Sequence, residues 1–293
     1  MNTVLKHTEA GKFEETRFEK IHNAIFDNSD VASIAVAQEI AELIREKEGK
    51  KESCVLGLAT GSSPIKVYEE LVRMHQEEGL SFRNVITFNL DEYYPMSKEN
   101  TQSYWYFMHE HLFNHVDILP ENINIPDGQP DPEEIHQFCI DYEMKIKESG
   151  GLDFQLLGIG RTGHIGFNEP GSHYNSGTRN ITLDHITRID AATAFLGLDH
   201  VPKVAITMGI STIRKAKRIV LLAWGINKAS VIKETIEGEI SAEVPATYLQ
   251  NHDNATFVLD EGAAAELTRI KTPWLVKNCI WTDELTIKAV VWL

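Results

Sequence analysis

The sequence predicts an α/β protein with an open, mostly parallel, doubly wound (Rossmann-like) sheet and helices on both faces. Short apolar runs alternate along the chain with amphipathic stretches of ten or more residues. This alternation is typical of parallel strands joined by crossover helices. Several apolar runs also end in loops rich in glycine or acidic residues, and ligand sites in open α/β sheets lie at the ends of strands.

The first predicted helix covers residues 29–47, where Ser29 and Asp30 are good N-caps and apolar residues recur at helical spacing. Strands and helices then alternate. In the first half of the chain we expect strands at residues 54–59 and 85–90, and helices at residues 64–76, 102–115 and 130–149. In the second half we expect strands at residues 154–157, 204–208, 219–224 and 255–259, and helices at residues 228–237 and 261–269.

No repeat, low-complexity tract or linker divides the chain, which favours a single domain. We expect an N-terminal arm at residues 1–28, where periodicity is weak, then the α/β domain at residues 29–270 and a C-terminal segment at residues 271–293. This last segment is apolar and finishes on Trp292 and Leu293. We expect it either to dock on the core or to be the junction to a further domain absent from this chain.

The composition excludes several classes of partner. A formal net charge of −15 argues against nucleic acid and anionic membrane surfaces, which require a basic face. Three scattered cysteines without a CxxC pair indicate a reducing compartment and no structural zinc. The polar N-terminus lacks the apolar core of a signal peptide, and no apolar run approaches the roughly 18 residues that span a bilayer. We therefore expect a cytoplasmic protein.

The most informative segment is GHIGFNEP at residues 163–170, which follows a predicted strand. A histidine can move a proton near neutral pH, so His164 is a catalytic candidate, and Glu169 can orient it and hold its charge. Gly163 lets a ligand approach the backbone and is a candidate for binding substrate. The alternative is a tight turn whose polar side chains are merely solvated.

A second candidate site is the TGSSP segment between a predicted strand and a predicted helix. Ser63 is the expected N-cap and Pro64 the expected first helical residue. The backbone N–H groups, the hydroxyls and the helix dipole together form an anion site. The substrate-binding candidates here are Thr60, Gly61, Ser62 and Ser63. The alternative is a plain turn, and no Gly-Lys-Ser/Thr of a Walker loop follows.

Two further groups follow predicted strands. Asp91 and Glu92, in the FNLDEYY segment, are candidates for a general base or for metal ligands. A single base is the stronger option, because His111 and His115 offer no convincing metal partners; Glu92 is also a candidate for contact with substrate. Lys228, early in a predicted helix, can reach an anionic ligand, with a solvated lysine as the alternative. All these groups lie at one edge of the expected sheet, which predicts a single pocket.

Together these segments resemble the glucosamine-6-phosphate deaminase (isomerase) family, which is related to the 6-phosphogluconolactonases. The resemblance covers about residues 55–267. Its marks are FNLDEY at residues 88–93, SYWYFMH at 103–109, HVDI at 115–118 and GHIGFNEP at 163–170. The lactonases usually continue Gly-His with Thr-Ala-Ser-Leu-Phe-Pro, so the FNEP sequence is similar to that of the deaminases.

The resemblance implies conversion of glucosamine 6-phosphate and water into fructose 6-phosphate and ammonium. His164 would shuttle the ring-opening proton, with Glu169 setting its tautomer, and Asp91 would move a proton from C2 to C1. Residues 61–63 and Lys228 would hold the phosphoryl group. This chemistry needs neither a metal nor a redox cofactor, so we expect none.

The chain departs from the family pattern at three places. Thr162 stands where most deaminases have aspartate, which removes one member of an acid–His–acid relay. No arginine follows Arg188 at the position expected to bind phosphate, and the Arg-x-Lys pair of the allosterically activated members is reduced to Arg179.

Two alternatives stay open beside the deaminase. One is a sugar-phosphate sensing module of the same fold, and the other is an isomerase of a different sugar phosphate. The sensor is disfavoured because a binder has no need of Asp91, His164 and Glu169 together. We expect a phosphorylated amino sugar as the ligand, and a homo-oligomer is one option for the assembly.

Overall fold

Seven parallel strands form the centre of this computed structural model, which describes residues 14–292. The strands of the molecule are β1 (His22–Phe26), β2 (Cys54–Leu58), β3 (Val85–Asn89), β4 (Asp91–Tyr94), β5 (Ile123–Asn124), β6 (Phe154–Gly158), β7 (Arg179–Thr182), β8 (Val204–Thr207), β9 (Ile219–Ala223) and β10 (Ala255–Asp260). The central sheet has the order β1-β10-β9-β6-β2-β3-β5. The chain builds outward from β2 in one direction and from β6 in the other, so the topological switch point lies between these two strands, where open α/β sheets bind ligands.

Helices cover both faces of this sheet. They are α1 (Ser29–Gly49), α2 (Ile65–Glu78), α3 (Tyr104–His111), α4 (Ile135–Glu148), α5 (His185–Ala191), α6 (Ile210–Ile213), α7 (Ala229–Glu237), α8 (Glu261–Ala264), α9 (Thr268–Lys271) and α10 (Asp283–Trp292). The first three pack on one face, while α4 and α7 pack on the other. Neighbouring residues of β9 alternate between the two cores: Leu221 lies in one and Leu222 in the other. The predicted doubly wound architecture is confirmed.

A second, antiparallel sheet of three strands has the order β4-β8-β7. The expected strand at residues 204–208 forms as β8, but it belongs to this sheet and not to the parallel one. Leu90 joins the two sheets, because its N–H donates to the Leu58 carbonyl at 3.1 Å and its carbonyl accepts from Met208 N at 2.6 Å. This junction places Asp91 directly at the carboxyl edge of the central sheet.

Several boundaries differ from expectation. Residues 22–26 of the expected N-terminal arm form β1 and pair with β10; residues 1–13 of that arm lie outside the described part. The N-cap of α1 is Asn28, whose Oδ1 accepts from Val31 N at 3.0 Å. The helix expected at residues 261–269 is divided into α8 and α9.

The C-terminal segment is only loosely packed. The Trp274 ring lies 6.1 Å from that of Trp281 and 6.2 Å from that of Trp292. On α10, however, Ile287 and Val291 are mostly exposed. These aromatic contacts lie within the C-terminal segment itself and do not bury α10 against the core. Docking of this segment on the core and its role as a junction to a further domain both stay predictions.

Candidate active site

A cavity of about 220 Å³ opens at the carboxyl edge of the central sheet, next to the switch point between β2 and β6. Four loops that follow different strands form its wall. It is lined by Ala59, Thr60, Gly61, Ser62, Ser63, Leu90, Asp91, Tyr104, Gly158, Ile159, Gly160, His164, Gly166, Phe167 and Lys228. The structure therefore brings together most of the residues that the sequence predicted for one pocket. A larger groove of about 660 Å³ beside α4 is mostly apolar and contains none of the predicted residues.

His164 is held by its Nδ1 atom. This atom lies 3.1 Å from Oε2 of Glu169 and 2.9 Å from Oγ1 of Thr162, with Oγ1 of Thr187 at 3.4 Å. The far edge of the ring lies against Gly160, where an added Cβ would come within 2.1 Å of Cε1 and Nε2. Because Nδ1 is occupied and the ring lines the cavity, Nε2 is the nitrogen available to exchange a proton with a ligand.

Glu169 supports His164 from behind and does not line the cavity. Its carboxylate is buried, and Oε1 accepts from the backbone N–H of Asp184 at 3.2 Å. Burial favours the neutral form, but the hydrogen bonds with His164 and Thr187 and the imidazole charge outweigh it. The pKa of Glu169 is therefore lowered. A carboxylate that stays ionised can fix the tautomer of the ring and stabilise the imidazolium.

Asp91 lies in the floor of the cavity and is only 5% exposed. It stands opposite Thr207 in the β4–β8 pairing, and Gly166 approaches so closely that an added Cβ would lie 3.2 Å from Oδ2. Burial and the charge of Glu92 raise the pKa of Asp91 well above its usual value, against the opposing hydrogen bond from the Phe167 backbone N–H. A carboxylate in such surroundings is a stronger base than one in water.

Glu92 is placed differently from our expectation. Its Oε1 accepts from the N–H groups of Tyr93 and Tyr104 at 2.8 and 3.1 Å, and its Oε2 accepts from that of Trp105 at 3.0 Å. Glu92 thus binds the N-terminus of α3 and does not line the cavity. Burial raises its pKa to about 7, although these three hydrogen bonds act in the opposite direction. The physical reason is strand geometry, since consecutive residues of β4 point to opposite faces.

Gly163 is also placed away from the cavity. Its N–H donates to the Gly160 carbonyl at 3.1 Å, and its own carbonyl accepts from Ala246 N at 2.9 Å. Its φ of +78° and an added Cβ that would lie 2.4 Å from Cγ1 of Val244 both require glycine. Gly163 therefore shapes the loop that carries His164, and both polar groups of its backbone are bonded within the protein; its contact with substrate stays a prediction.

The segment at residues 60–63 forms the rim above β2. The indole Nε1 of Trp224 donates to the Ser63 carbonyl at 3.1 Å, and the Tyr68 hydroxyl donates to the Ala59 carbonyl at 2.5 Å. We expected Ser63 to be the N-cap of α2, but the helix begins at Ile65, directly after Pro64, and no side chain caps it. The hydroxyl groups of Thr60, Ser62 and Ser63 therefore do not cap α2, and these residues line the cavity wall.

Lys228 brings a positive charge to the same wall. Its Nζ donates to the Ile159 carbonyl at 2.7 Å, at the end of β6. Burial lowers its pKa, as for an ammonium group removed from water. An anion bound at residues 60–63 would restore part of the lost solvation of this ammonium.

Sequence reasoning missed two aromatic residues of the wall, Tyr104 and Phe167. Their rings stack at a centroid distance of 5.8 Å, and Tyr104 also contacts the ring of Tyr93 at 5.1 Å. Both residues lie in segments that carry the family resemblance, and this resemblance is the sequence feature that could have identified them. Within residues 14–292 no group of three His, Cys, Asp or Glu side chains is arranged to hold a metal ion, and no helix there is long and apolar enough to cross a bilayer.

Comparison with known proteins identifies the family. Residues 27–258 match the model of the glucosamine-6-phosphate isomerases/6-phosphogluconolactonase family. A glucosamine-6-phosphate deaminase-like protein of Bacteroides thetaiotaomicron is 50% identical over 278 residues, which cover 95% of this chain and 42% of that protein. The glucosamine-6-phosphate deaminase of Clostridium novyi is 45% identical over 232 residues, which cover 79% of this chain and 95% of that enzyme. The chain thus spans less than half of the Bacteroides protein and nearly all of the Clostridium enzyme.

Solved structures agree with this result. A monomeric glucosamine-6-phosphate deaminase is 41% identical, with a TM-score of 0.80 over 84% of this chain and 100% of that chain. The 6-phosphogluconolactonase of Trypanosoma brucei shares the fold, with a TM-score of 0.69, 19% identity and coverage of 85% of this chain and 99% of that chain. The match to the family model extends from α1 to β10 and includes every residue that lines the cavity. The chain belongs to the family of glucosamine-6-phosphate isomerases and 6-phosphogluconolactonases.

Proposed function

We propose that this chain converts glucosamine 6-phosphate and water into fructose 6-phosphate and ammonium. The observation that carries the proposal is a single cavity that joins a buried base, Asp91, with a histidine relay and an anion-binding rim. The relatives named as glucosamine-6-phosphate deaminases support the same reaction.

Ring opening is assigned to His164. The Nε2 atom takes the proton of the C1 hydroxyl and delivers it to the ring oxygen as the C1–O5 bond breaks, which gives the open-chain aldehyde. The Glu169 carboxylate at Nδ1 stabilises the imidazolium that forms in between. Thr162 adds a hydroxyl contact to the same nitrogen, but it carries no charge.

Isomerisation and deamination are assigned to Asp91. Its carboxylate takes the C2 proton of the open-chain aminoaldose, which forms an enolamine, and a proton returned to C1 gives the imine at C2. Water adds to C2, and the amino group leaves as ammonia with formation of the ketone. The raised pKa of Asp91 suits this task, since both the acceptance and the return of the proton are required.

The phosphoryl group is assigned to the rim. Residues 60–63 offer N–H groups and hydroxyls, and Lys228 offers a full positive charge, on one side of the cavity. The sugar carbons then lie between this rim and the floor formed by Asp91. The wall of Tyr104 and Phe167 gives the sugar ring an aromatic surface.

Ammonium release from glucosamine 6-phosphate tests the proposal. The panel includes N-acetylglucosamine 6-phosphate, glucose 6-phosphate and unphosphorylated glucosamine, with Asp91→Asn as the inactive control. We expect ammonium and fructose 6-phosphate in equal amounts from glucosamine 6-phosphate alone. Binding of the sugar phosphate without ammonium would favour the sensing module. Interconversion of a neutral sugar phosphate without ammonium would favour a different isomerase.

Location and assembly are further proposals. We propose that the protein acts in the cytoplasm, in line with the free thiols of Cys54, Cys139 and Cys279. A homo-oligomer stays a prediction, which light scattering of the purified chain tests.

A further inference from the structure

Arg161 carries a second positive charge close to the cavity, although its side chain is not part of the lining. It stands between Gly160, which lines the cavity, and Thr162, which contacts the His164 ring. Its guanidinium binds Asp190 of α5 through two hydrogen bonds, Nε to Oδ2 at 2.9 Å and Nη2 to Oδ1 at 2.5 Å. The two side chains are 50% and 44% exposed, so an anionic ligand can reach the guanidinium and take the place of the Asp190 carboxylate.

Lys228 lies within electrostatic range of this ion pair. Its Nζ donates to the carbonyl of Ile159, two residues before Arg161. Burial lowers the pKa of Lys228, the charge of Asp190 raises it, and the charge of Arg161 lowers it. The three side chains therefore form a cluster of alternating charge, positive, negative and positive, beside the ends of β6 and β9.

A phosphorylated sugar changes the charge balance of this cluster. A phosphoryl monoester carries about −1.5 to −2 charges near pH 7, whereas Lys228 supplies one positive charge and residues 60–63 supply only dipoles. A guanidinium binds carboxylate and phosphate oxygens in the same two-pronged geometry. Asp190 thus holds Arg161 by the contacts that two phosphoryl oxygens could make.

We propose that Arg161 is the second cation of the phosphoryl subsite and that it exchanges the Asp190 carboxylate for phosphoryl oxygens when the ligand enters beside Lys228. Asp190 is then a positioning residue, which holds the guanidinium beside the cavity and competes with the ligand for it. The identity of the sugar rests on the proposed function, but recognition of the phosphoryl group by Arg161 does not.

The test uses Arg161→Gln, Asp190→Asn and a matched control, Arg45→Gln. Arg45 also forms an exposed ion pair, with Glu78 at 3.3 Å, but it lies on α1, away from the cavity. Steady-state kinetics give KM and kcat for glucosamine 6-phosphate. Protection by inorganic phosphate against thermal unfolding gives phosphoryl affinity without turnover, so it reports on Arg161 even if the chain releases no ammonium.

We expect Arg161→Gln to raise KM by about 10- to 100-fold and to weaken protection by inorganic phosphate in parallel, as for the loss of charge-assisted hydrogen bonds. The value of kcat should stay within about threefold of wild type, because Arg161 would bind the phosphoryl group equally in the substrate and in the transition state. Asp190→Asn should leave KM unchanged or lower it. Values of KM and phosphate protection within about twofold of wild type in Arg161→Gln would overturn the proposal. An equal rise of KM in Asp190→Asn would also overturn it, since the pair would then be a structural brace.

Discussion

The Oε2 atom of Glu169 lies 3.1 Å from Nδ1 of His164, so the two side chains are in direct polar contact. We therefore expect strong non-additivity among His164→Ala, Glu169→Ala and the double variant. Each single change should lower turnover by about 10²- to 10⁴-fold, the usual contribution of a positioned proton-transfer group. The double variant should be little worse than the more impaired single one. The control is His173→Ala, which changes an exposed histidine later in the chain. Additive losses would show that His164 and Glu169 act independently.

The 2.9 Å contact between Thr162 and His164 leads to a second prediction. Thr162→Asp would place another carboxylate beside Nδ1 and stabilise the imidazolium. If the neutral ring starts the reaction, the acidic limb of the turnover profile should move upward by about 1 pH unit. Turnover measured from about pH 5 to 9, with an NMR titration of the His164 ring, checks this. Thr162→Ser should leave the profile in place, and an unmoved limb in Thr162→Asp would contradict the relay.

Asp91→Asn should abolish proton transfer while keeping the shape of the side chain. We expect turnover to fall by about 10²-fold or more and sugar-phosphate binding to be largely retained. Single-turnover assays and ligand-dependent thermal shifts measure the two effects separately. A variant that keeps about a tenth of wild-type turnover would show that another group is the C2 base.

The same substitution should stabilise the fold in a pH-dependent way. Burial and Glu92 raise the pKa of Asp91, so the folded protein holds this proton more tightly than the unfolded chain. The resulting stability is complete below about pH 4 and is lost as the pH rises through the folded-state pKa. Urea unfolding should therefore give Asp91→Asn a higher free energy of unfolding than wild type at pH 8, by about 1–3 kcal/mol. The difference should vanish near pH 4, and equal stabilities at both pH values would contradict the assignment.

Glu92→Gln is the counterpart of this experiment. Since Glu92 binds the N-terminus of α3 and does not line the cavity, turnover should stay within about tenfold of wild type. Its pKa of about 7 is raised, so its contribution to stability is present at low pH and is lost as the pH rises toward and through 7. The variant should show a flatter pH dependence of the free energy of unfolding between about pH 5 and 8. A loss of turnover as large as that of Asp91→Asn would show that Glu92 takes part in the reaction.

Much of the site can be predicted from the sequence because several of its residues are neighbours along the chain. His164 and Glu169 belong to one loop that turns back at Gly166, where φ is +55°, so their proximity follows from a short segment. The sequence does not show which of Asp91 and Glu92 faces the cavity. The sequence predicts a strand that ends at residue 90, before both carboxylates. The structure has a further strand from Asp91, and in a strand only one of two neighbouring residues can face the cavity.

The missed parts of the fold depend on distant partners. β1 pairs with β10, more than 200 residues away along the chain, and its HNAIF sequence has no strong apolar pattern of its own. β7, with the sequence RNIT, is stabilised by pairing with β8 and is largely solvent-accessible. Short strands of this kind are specified by tertiary pairing more than by local propensity. The central strands were found because burial on both faces leaves a continuous apolar run.

The hydrogen bond from Trp224 to the Ser63 carbonyl has a consequence for the energetics of ligand capture. It ties the segment at residues 60–63, which follows β2, to the turn after β9 that carries Lys228. Ordering a backbone residue costs about 1–2 kcal/mol of conformational entropy. Here that loss occurs when the chain folds, and the rim meets an incoming anion as a rigid receptor. Its intrinsic affinity is then not diminished by any need to arrange the loop first.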